Sequence, residues 1–255
     1  MKENTKVIVH GYTGKLGAAI CRAISARDGF EIAAGVAVDA AAAAFPTCAD
    51  IADCGVKADV VIDASSPGAL GGLLKFAAAR GVPLVICTTG HSEEDMRGIE
   101  RAAETVAILK SANMSYGVNL LINLLERYAG PLYRAGFDVE IIEKHHNQKA
   151  DAPSGTALVL ADAVRSSVGD PAPLENVYGR SAHSGRRGRV EIGVHAVRGG
   201  TINGEHTVLF AGRDEVIEFS HSAASKDVFA AGAINAARFL ADKPAGLYSM
   251  RDLFV

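Results

Sequence analysis

The sequence predicts an α/β protein in two parts. The first is a parallel-sheet domain with helices on both faces, and the second an α+β domain with a mostly antiparallel or mixed open sheet. Three observations predict it. Short apolar runs of strand length alternate with stretches at helical spacing through the first half of the chain. These runs are near-continuously apolar, as strands covered on both faces are. From Arg189 onward the chain becomes strand-rich, with short glycine-containing connections that point to antiparallel neighbours.

The elements follow in order. Lys6–His10 is the first strand, and Gly11–Gly17 a glycine-punctuated turn. Leu16, Ala19, Ile20, Ala23 and Ile24 then repeat at helical spacing. Glu31–Val38 and Asp59–Asp63 are the next strands, the latter closed by Ser65-Ser66-Pro67. A helix follows with Leu70, Leu73, Leu74 and Ala77 on one face, then strands at Pro83–Cys87 and Val106–Leu109. After this the pattern changes. Asn119–Tyr128 reads as a helix, Phe137–Glu143 as a half-buried strand and Thr156–Val168 as a helix. Residues 169–188 hold several breakers and arginines and read as a long exposed loop. Strands at Val190–Arg198, Glu205–Phe210 and Val216–Ser220 follow, the first two joined through Gly199-Gly200. A last helix, Val228–Leu240, ends before Pro244. The expected domains are therefore residues 1–114, completed by 228–255, and residues 115–227.

Composition narrows the function. The chain has 255 residues, 49% of them hydrophobic and 22% charged, with a formal net charge of −3. No basic excess points to nucleic acid or an anionic membrane. No run approaches the roughly 18 apolar residues of a membrane span, and the N-terminal segment lacks the pattern of a secretory leader. Cys21, Cys48, Cys54 and Cys87 form no Cys-x-x-Cys pair. A reducing, cytoplasmic setting is expected, without disulfides or a zinc site.

Gly11-Tyr12-Thr13-Gly14-Lys15-Leu16-Gly17 has the form Gly-x-x-Gly-x-x-Gly between a strand and a helix. Glycine permits the tight turn and lets phosphate approach the backbone, while the helix start offers free N–H groups and a positive dipole end. Strand before and helix after make a Rossmann-like dinucleotide loop the expected reading, with a purely structural turn as its alternative. The acid for the adenine ribose is sought at the end of the second strand, where Asp39 is the candidate. No lysine or arginine follows closely enough to claim a 2′-phosphate, so NADH and NADPH both stay open.

The stretch Glu140–Ala157 carries the chemistry. It begins in a strand, passes through a polar loop and ends at a helix start. His145 and His146 are adjacent in an extended segment and point to opposite sides, which disfavours a shared metal. Lys149 follows four residues after His145, so proton donors and positive charge gather in one loop. Pro153 and Ser154 suit a helix entry. Beyond them Gly155 and Thr156 offer backbone N–H groups and a hydroxyl to an anion.

These residues meet every fixed position of Glu-x-x-Glu-x-His-His-x-x-Lys-x-Asp-Ala-Pro-Ser-Gly-Thr-Ala. The chain thereby resembles the 4-hydroxy-tetrahydrodipicolinate (dihydrodipicolinate) reductases over nearly its whole length. Cys87–Gly90, Ser111–Ser115, Arg198–Thr201, Gly204–His206 and Lys243–Tyr248 match as well. The resemblance implies a reductase of the diaminopimelate route to lysine, using NADH or NADPH on a cyclic dicarboxylate and assembled as a homotetramer through its second domain. It implies His145 as acid/base and Lys149 as proton donor, with His146, Ser154, Gly155 and Thr156 at the substrate. Gly11, Tyr12, Thr13, Gly14, Lys15, Leu16, Cys87, Thr88, Thr89, Ser111, Ala112, Asn113 and Met114 would meet the cofactor. Two positions depart from the pattern: Cys87 replaces a common glycine, and Ala37 a common acid. The alternatives are another nicotinamide-dependent small-metabolite dehydrogenase, or a non-catalytic nicotinamide sensor. Neither has a reason to carry the His-His-x-x-Lys and Ser-Gly-Thr cluster. Closure between the domains is expected to hinge near 111–115 and 222–228.

Overall fold

In the computed structural model, which describes residues 4–169 and 174–254, the first apolar run forms β1 (Thr5–His10). Then follow α1 (Lys15–Ser25), β2 (Phe30–Val36), the two-residue β3 (Thr47–Cys48), β4 (Val60–Asp63) and α2 (Leu70–Arg80). β5 (Leu84–Ile86), α3 (Glu93–Ala103) and β6 (Ala107–Lys110) complete this stretch. Successive residues of one strand enter different cores. Val7 and Val9 pack with Val60, Ile62 and Val85 on one face, and Ile8 packs with Val61, Leu84 and Ile86 on the other. Side chains alternate across a strand, so only a sheet covered on both faces buries both sets. Each fully buried Ile, Leu or Val contributes roughly 1.5–3 kcal/mol.

Two helices here show how local signals act. α2 ends at Gly81, whose φ of 62° is the left-handed stop that glycine takes most easily. α3 was not expected from its strongly polar composition. A capping box between Ser92 and Asp95 starts it, and Glu93, Glu94 and Asp95 complement its positive end.

The second unit runs through α4 (Tyr116–Arg134), β7 (Asp138–His145), α5 (Gly155–Val168), β8 (Glu175–Tyr178), β9 (Glu191–Arg198), β10 (Glu205–Ala211) and β11 (Val216–Ser222). α4 extends beyond the expected 119–128 at both ends. β8 lies inside the stretch expected to be a loop, part of which, 170–173, falls outside the described residues. The sheet order is β11-β10-β7-β9-β8. This corrects the hairpin expected across Gly199-Gly200, because β7 lies between β9 and β10. β7 pairs parallel with β9 and antiparallel with β10. The Gly199 and Gly200 backbone bonds instead to His145 and Asn147, at the end of β7.

β7 alternates strictly, with Val139, Ile141, Glu143 and His145 turned inward. Val139 and Ile141 join Leu125, Leu160, Val164 and Phe210 in an apolar core. α4 and α5 approach closely at Gly130, where a Cβ would stand 2.2 Å from the Ser167 carbonyl oxygen.

The chain then returns with α6 (Asp227–Leu240) and β12 (Gly246–Tyr248). Contacts group residues up to Tyr116 with those from Asp227 onward as one unit, and Gly117–Lys226 as the other. α6 supplies Ala230, Ala233, Ile234 and Ala237 to the core beneath α1. The completed first sheet, β3-β2-β1-β4-β5-β6-β12, is parallel throughout. Its order reverses between β1 and β4, and ligands of open α/β sheets bind outside the strand ends at such a point.

Candidate active site

Within the first unit, the glycine loop sits at that switch point. Gly11 has φ 82°, and a Cβ there would stand 2.5 Å from the Ala64 carbonyl oxygen. A Cβ on Gly17 would meet the Gly11 carbonyl oxygen at 2.0 Å. Both glycines are needed for the turn to close. Gly14 precedes α1 and no side chain caps that helix, so its first-turn donors stay open to an anion. Thr13, Gly14 and Lys15 are exposed and Leu16 half-buried. This uncapped cradle fits a dinucleotide pyrophosphate.

Tyr12 turns inward instead. Its ring packs edge-on against Phe45, and its hydroxyl exchanges 2.7 Å hydrogen bonds with the Ala41 backbone. β2 stops at Val36 and the chain bends, which leaves Asp39 exposed beside the loop. There Asp39 Oδ1 accepts a hydrogen bond from the Thr13 hydroxyl at 2.8 Å.

Asp63, at the end of β4, ties three strand ends together. It accepts from Thr88 Oγ1 at 2.6 Å, from Ser65 Oγ at 2.6 Å and from His10 Nδ1 at 2.9 Å. Burial alone would raise its pKa, yet these bonds hold it below the usual carboxylate range. Lys110 Nζ donates to the Thr88 carbonyl, and burial pushes its pKa down. The Cys87 side chain is buried in the core, where burial drives the thiol pKa well up. Thr89 is exposed. In the turn after β6, Ser111 Oγ donates to the Asn113 carbonyl and Asn113 Oδ1 accepts from the Ser115 N–H. Met114 is buried and Ala112 exposed.

Within the second unit, the end of β7 and the start of α5 form a buried polar corner. Glu143, fully buried, accepts from His145 Nδ1 at 2.6 Å and from the Ser154 N–H at 3.0 Å. Both terminal nitrogens of Arg198 reach it as well, one on each oxygen at 2.7 Å. Against burial, which acts to raise it, the donors from Arg198, His145 and Ser154 hold the Glu143 pKa down. Arg198 also donates to the Asp151 carbonyl at 2.6 Å, which fastens the intervening loop to the sheet.

Ser154 caps α5 by accepting the Ala157 N–H, and its hydroxyl lies 3.0 Å from His206 Nε2. Burial first, and the neighbouring His145 second, lower the His206 pKa to about 4. Nothing stands within 4 Å of where a Gly155 Cβ would lie, so the α5 start has open space on that side. His146 is half-buried. Lys149 Nζ pairs with Asp151 Oδ1 at 2.8 Å, and that bond lowers the Asp151 pKa.

Sequence reasoning gave no role to Glu143, Arg198, His206, His10 or Asp63. The signal was available for Glu143, which lies two residues before His145 and so on the same strand face. Among the described residues no three His, Cys, Asp or Glu side chains gather to hold a metal ion. Nor is any described helix long and apolar enough to cross a membrane.

Comparison with known proteins covers both units. Residues 5–114 match the family model described as dihydrodipicolinate reductase, N-terminus, and residues 117–254 the one described as its C-terminus. A 4-hydroxy-tetrahydrodipicolinate reductase of Caldanaerobacter subterraneus subsp. tengcongensis is 48% identical over 248 residues, spanning 97% of each chain. The protein of that name from Clostridium tetani is 46% identical, over 96% of this chain and 95% of its own. A dipicolinate-bound dihydrodipicolinate reductase from a Paenisporosarcina species shares the fold. Its TM-score is 0.80 at 23% identity, over 96% of this chain and 97% of its own.

Proposed function

The chain belongs to the dihydrodipicolinate reductase family, and we propose that it reduces 4-hydroxy-tetrahydrodipicolinate with a nicotinamide hydride. It is an NAD(P)H-dependent oxidoreductase of diaminopimelate and lysine biosynthesis. When bound, NADH or NADPH would supply a hydride for C4 of the conjugated ring, the 4-hydroxyl leaving as water with a ring proton before or during that transfer. Gly11 to Leu16, Cys87 to Thr89 and Ser111 to Met114 hold that cofactor, with Asp39 at the adenine ribose. The uncapped start of α1 supports this assignment.

The substrate is a six-membered nitrogen ring with two carboxylates. His146, Gly155 and Thr156 grip the carboxylates, and Ser154 sets the helix start that presents them. The observation that carries this reading is the corner where β7 ends and α5 begins. There a buried histidine, a lysine and an open helix N-terminus occupy one short stretch of chain. Hydride addition leaves negative charge along the enamine, and a proton must quench it. Lys149 donates that proton and His145 tunes or relays it. Lys149 is paired with Asp151, so a dianionic ring competes with Asp151 for the ammonium. The positive helix end stabilises the same developing charge.

The functional assembly is a homotetramer joined through the second unit, in the cytoplasm. β11 is an edge strand of that unit's sheet, and such an edge favours sheet-to-sheet association. Four free thiols suit a reducing compartment. Absorbance at the nicotinamide band tests the activity, with enzymatically generated substrate and with NADH and NADPH measured separately. Substrate-dependent oxidation of at least one is expected. Oxidation of neither contradicts the proposal.

A further inference from the structure

We propose that Glu143 is a positioning residue that fixes His145 in the tautomer carrying its neutral-state proton on Nδ1. Nε2 is then the nitrogen that exchanges protons during reduction. This rests on the acid/base reading of His145. Four donors converge on the two Glu143 oxygens. Oε2 faces His145 Nδ1 and one Arg198 terminal nitrogen. Oε1 faces the other Arg198 nitrogen and the Ser154 N–H.

Guanidinium and backbone amide only donate, and they keep the carboxylate ionised and purely accepting. The imidazole nitrogen 2.6 Å away must therefore donate too. The other tautomer would set a lone pair against a carboxylate. The second ring nitrogen faces Gly204, whose missing Cβ would otherwise stand 3.1 Å from Nε2. Glycine there leaves Nε2 unobstructed on that side. Arg198 does double service: it holds Glu143 and, through the Asp151 carbonyl, the loop that carries Lys149.

Glu143→Gln makes the role measurable. Its amide oxygen satisfies Arg198 and Ser154 best at the Oε1 position, which turns the NH2 group toward His145. Nδ1 must then accept, and the ring moves its proton to Nε2. Long-range 1H–15N spectra of the 15N-histidine protein distinguish the two tautomers at a pH where the ring is neutral. His145→Gln assigns the signal by its loss.

The wild-type protein is expected to show the Nδ1–H pattern, and Glu143→Gln the Nε2–H pattern. In Glu143→Gln, kcat should fall at least about tenfold while KM for the nicotinamide stays unchanged. An Nε2–H pattern in the wild type overturns the proposal, and this result needs no variant to fold. So does a Glu143→Gln protein that is merely less stable and keeps the wild-type tautomer. Unaltered turnover in His145→Gln would instead sink the acid/base reading and leave the tautomer result standing.

Discussion

His206 shows how much one buried side chain couples the candidate site to stability. Its pKa falls from the ordinary 6.5 to about 4 in the fold, where burial and His145 oppose the charge. Between those values the unfolded chain binds more protons. Stability from this group is therefore complete above the upper value and lost as pH falls toward the lower one, by on the order of 3 kcal/mol in all. The thermal midpoint should drop from about pH 7 to about pH 5, and His206→Gln should flatten that slope. Equal slopes in both proteins would remove His206 as the cause. The buried placement of His145 and the Ser154 cap of α5 were legible because strand alternation and helix-start chemistry are local patterns. Arg198 was not, because it meets Glu143 across 55 positions of sequence. Only the pairing of β7 with β9 brings them together.

At the scale of elements, the Gly11–Gly17 loop depends on contact between glycines more than on any side chain. Gly17→Ala would drive a Cβ into the Gly11 carbonyl, 2.0 Å away, and push the turn apart. The nicotinamide Kd should rise at least about tenfold, because the open donors at the α1 start no longer converge. Fluorescence titration with NADH checks this, and an unchanged Kd would mean that the loop does not hold the pyrophosphate. The strands of the first sheet were legible because burial on both faces makes each a continuous apolar run. α3 was missed because so few of its residues are apolar that only Ile99 and Ala103 mark its buried face, although Ser92 and Asp95 already spelled its cap. The β9–β10 hairpin was misread because a glycine turn reports a change of direction and says nothing of which strand lies alongside. Cross-strand register, with Glu143 opposite both Ala196 and His206, is a property of the whole sheet.

At the scale of the molecule, the proposed function gives each unit one part of the reaction. The first offers an open sheet end with an uncapped helix for a dinucleotide. The second holds a buried acid–histidine corner beside a helix start, where the proposal seats the dianion. The order of elements made the change from a parallel to a mixed sheet readable in the sequence, and the strand-to-helix passage at Glu140–Ala157 with it. The second unit's sheet order was not readable, since a parallel β9 inserted beside β7 leaves no local mark. The most direct test of the account is steady-state turnover of Lys149→Ala on the cyclic substrate, beside its thermal midpoint. A fall in kcat of about a hundredfold or more, with an unchanged midpoint, is expected if Lys149 supplies the proton. Turnover within about twofold of the wild type would contradict it.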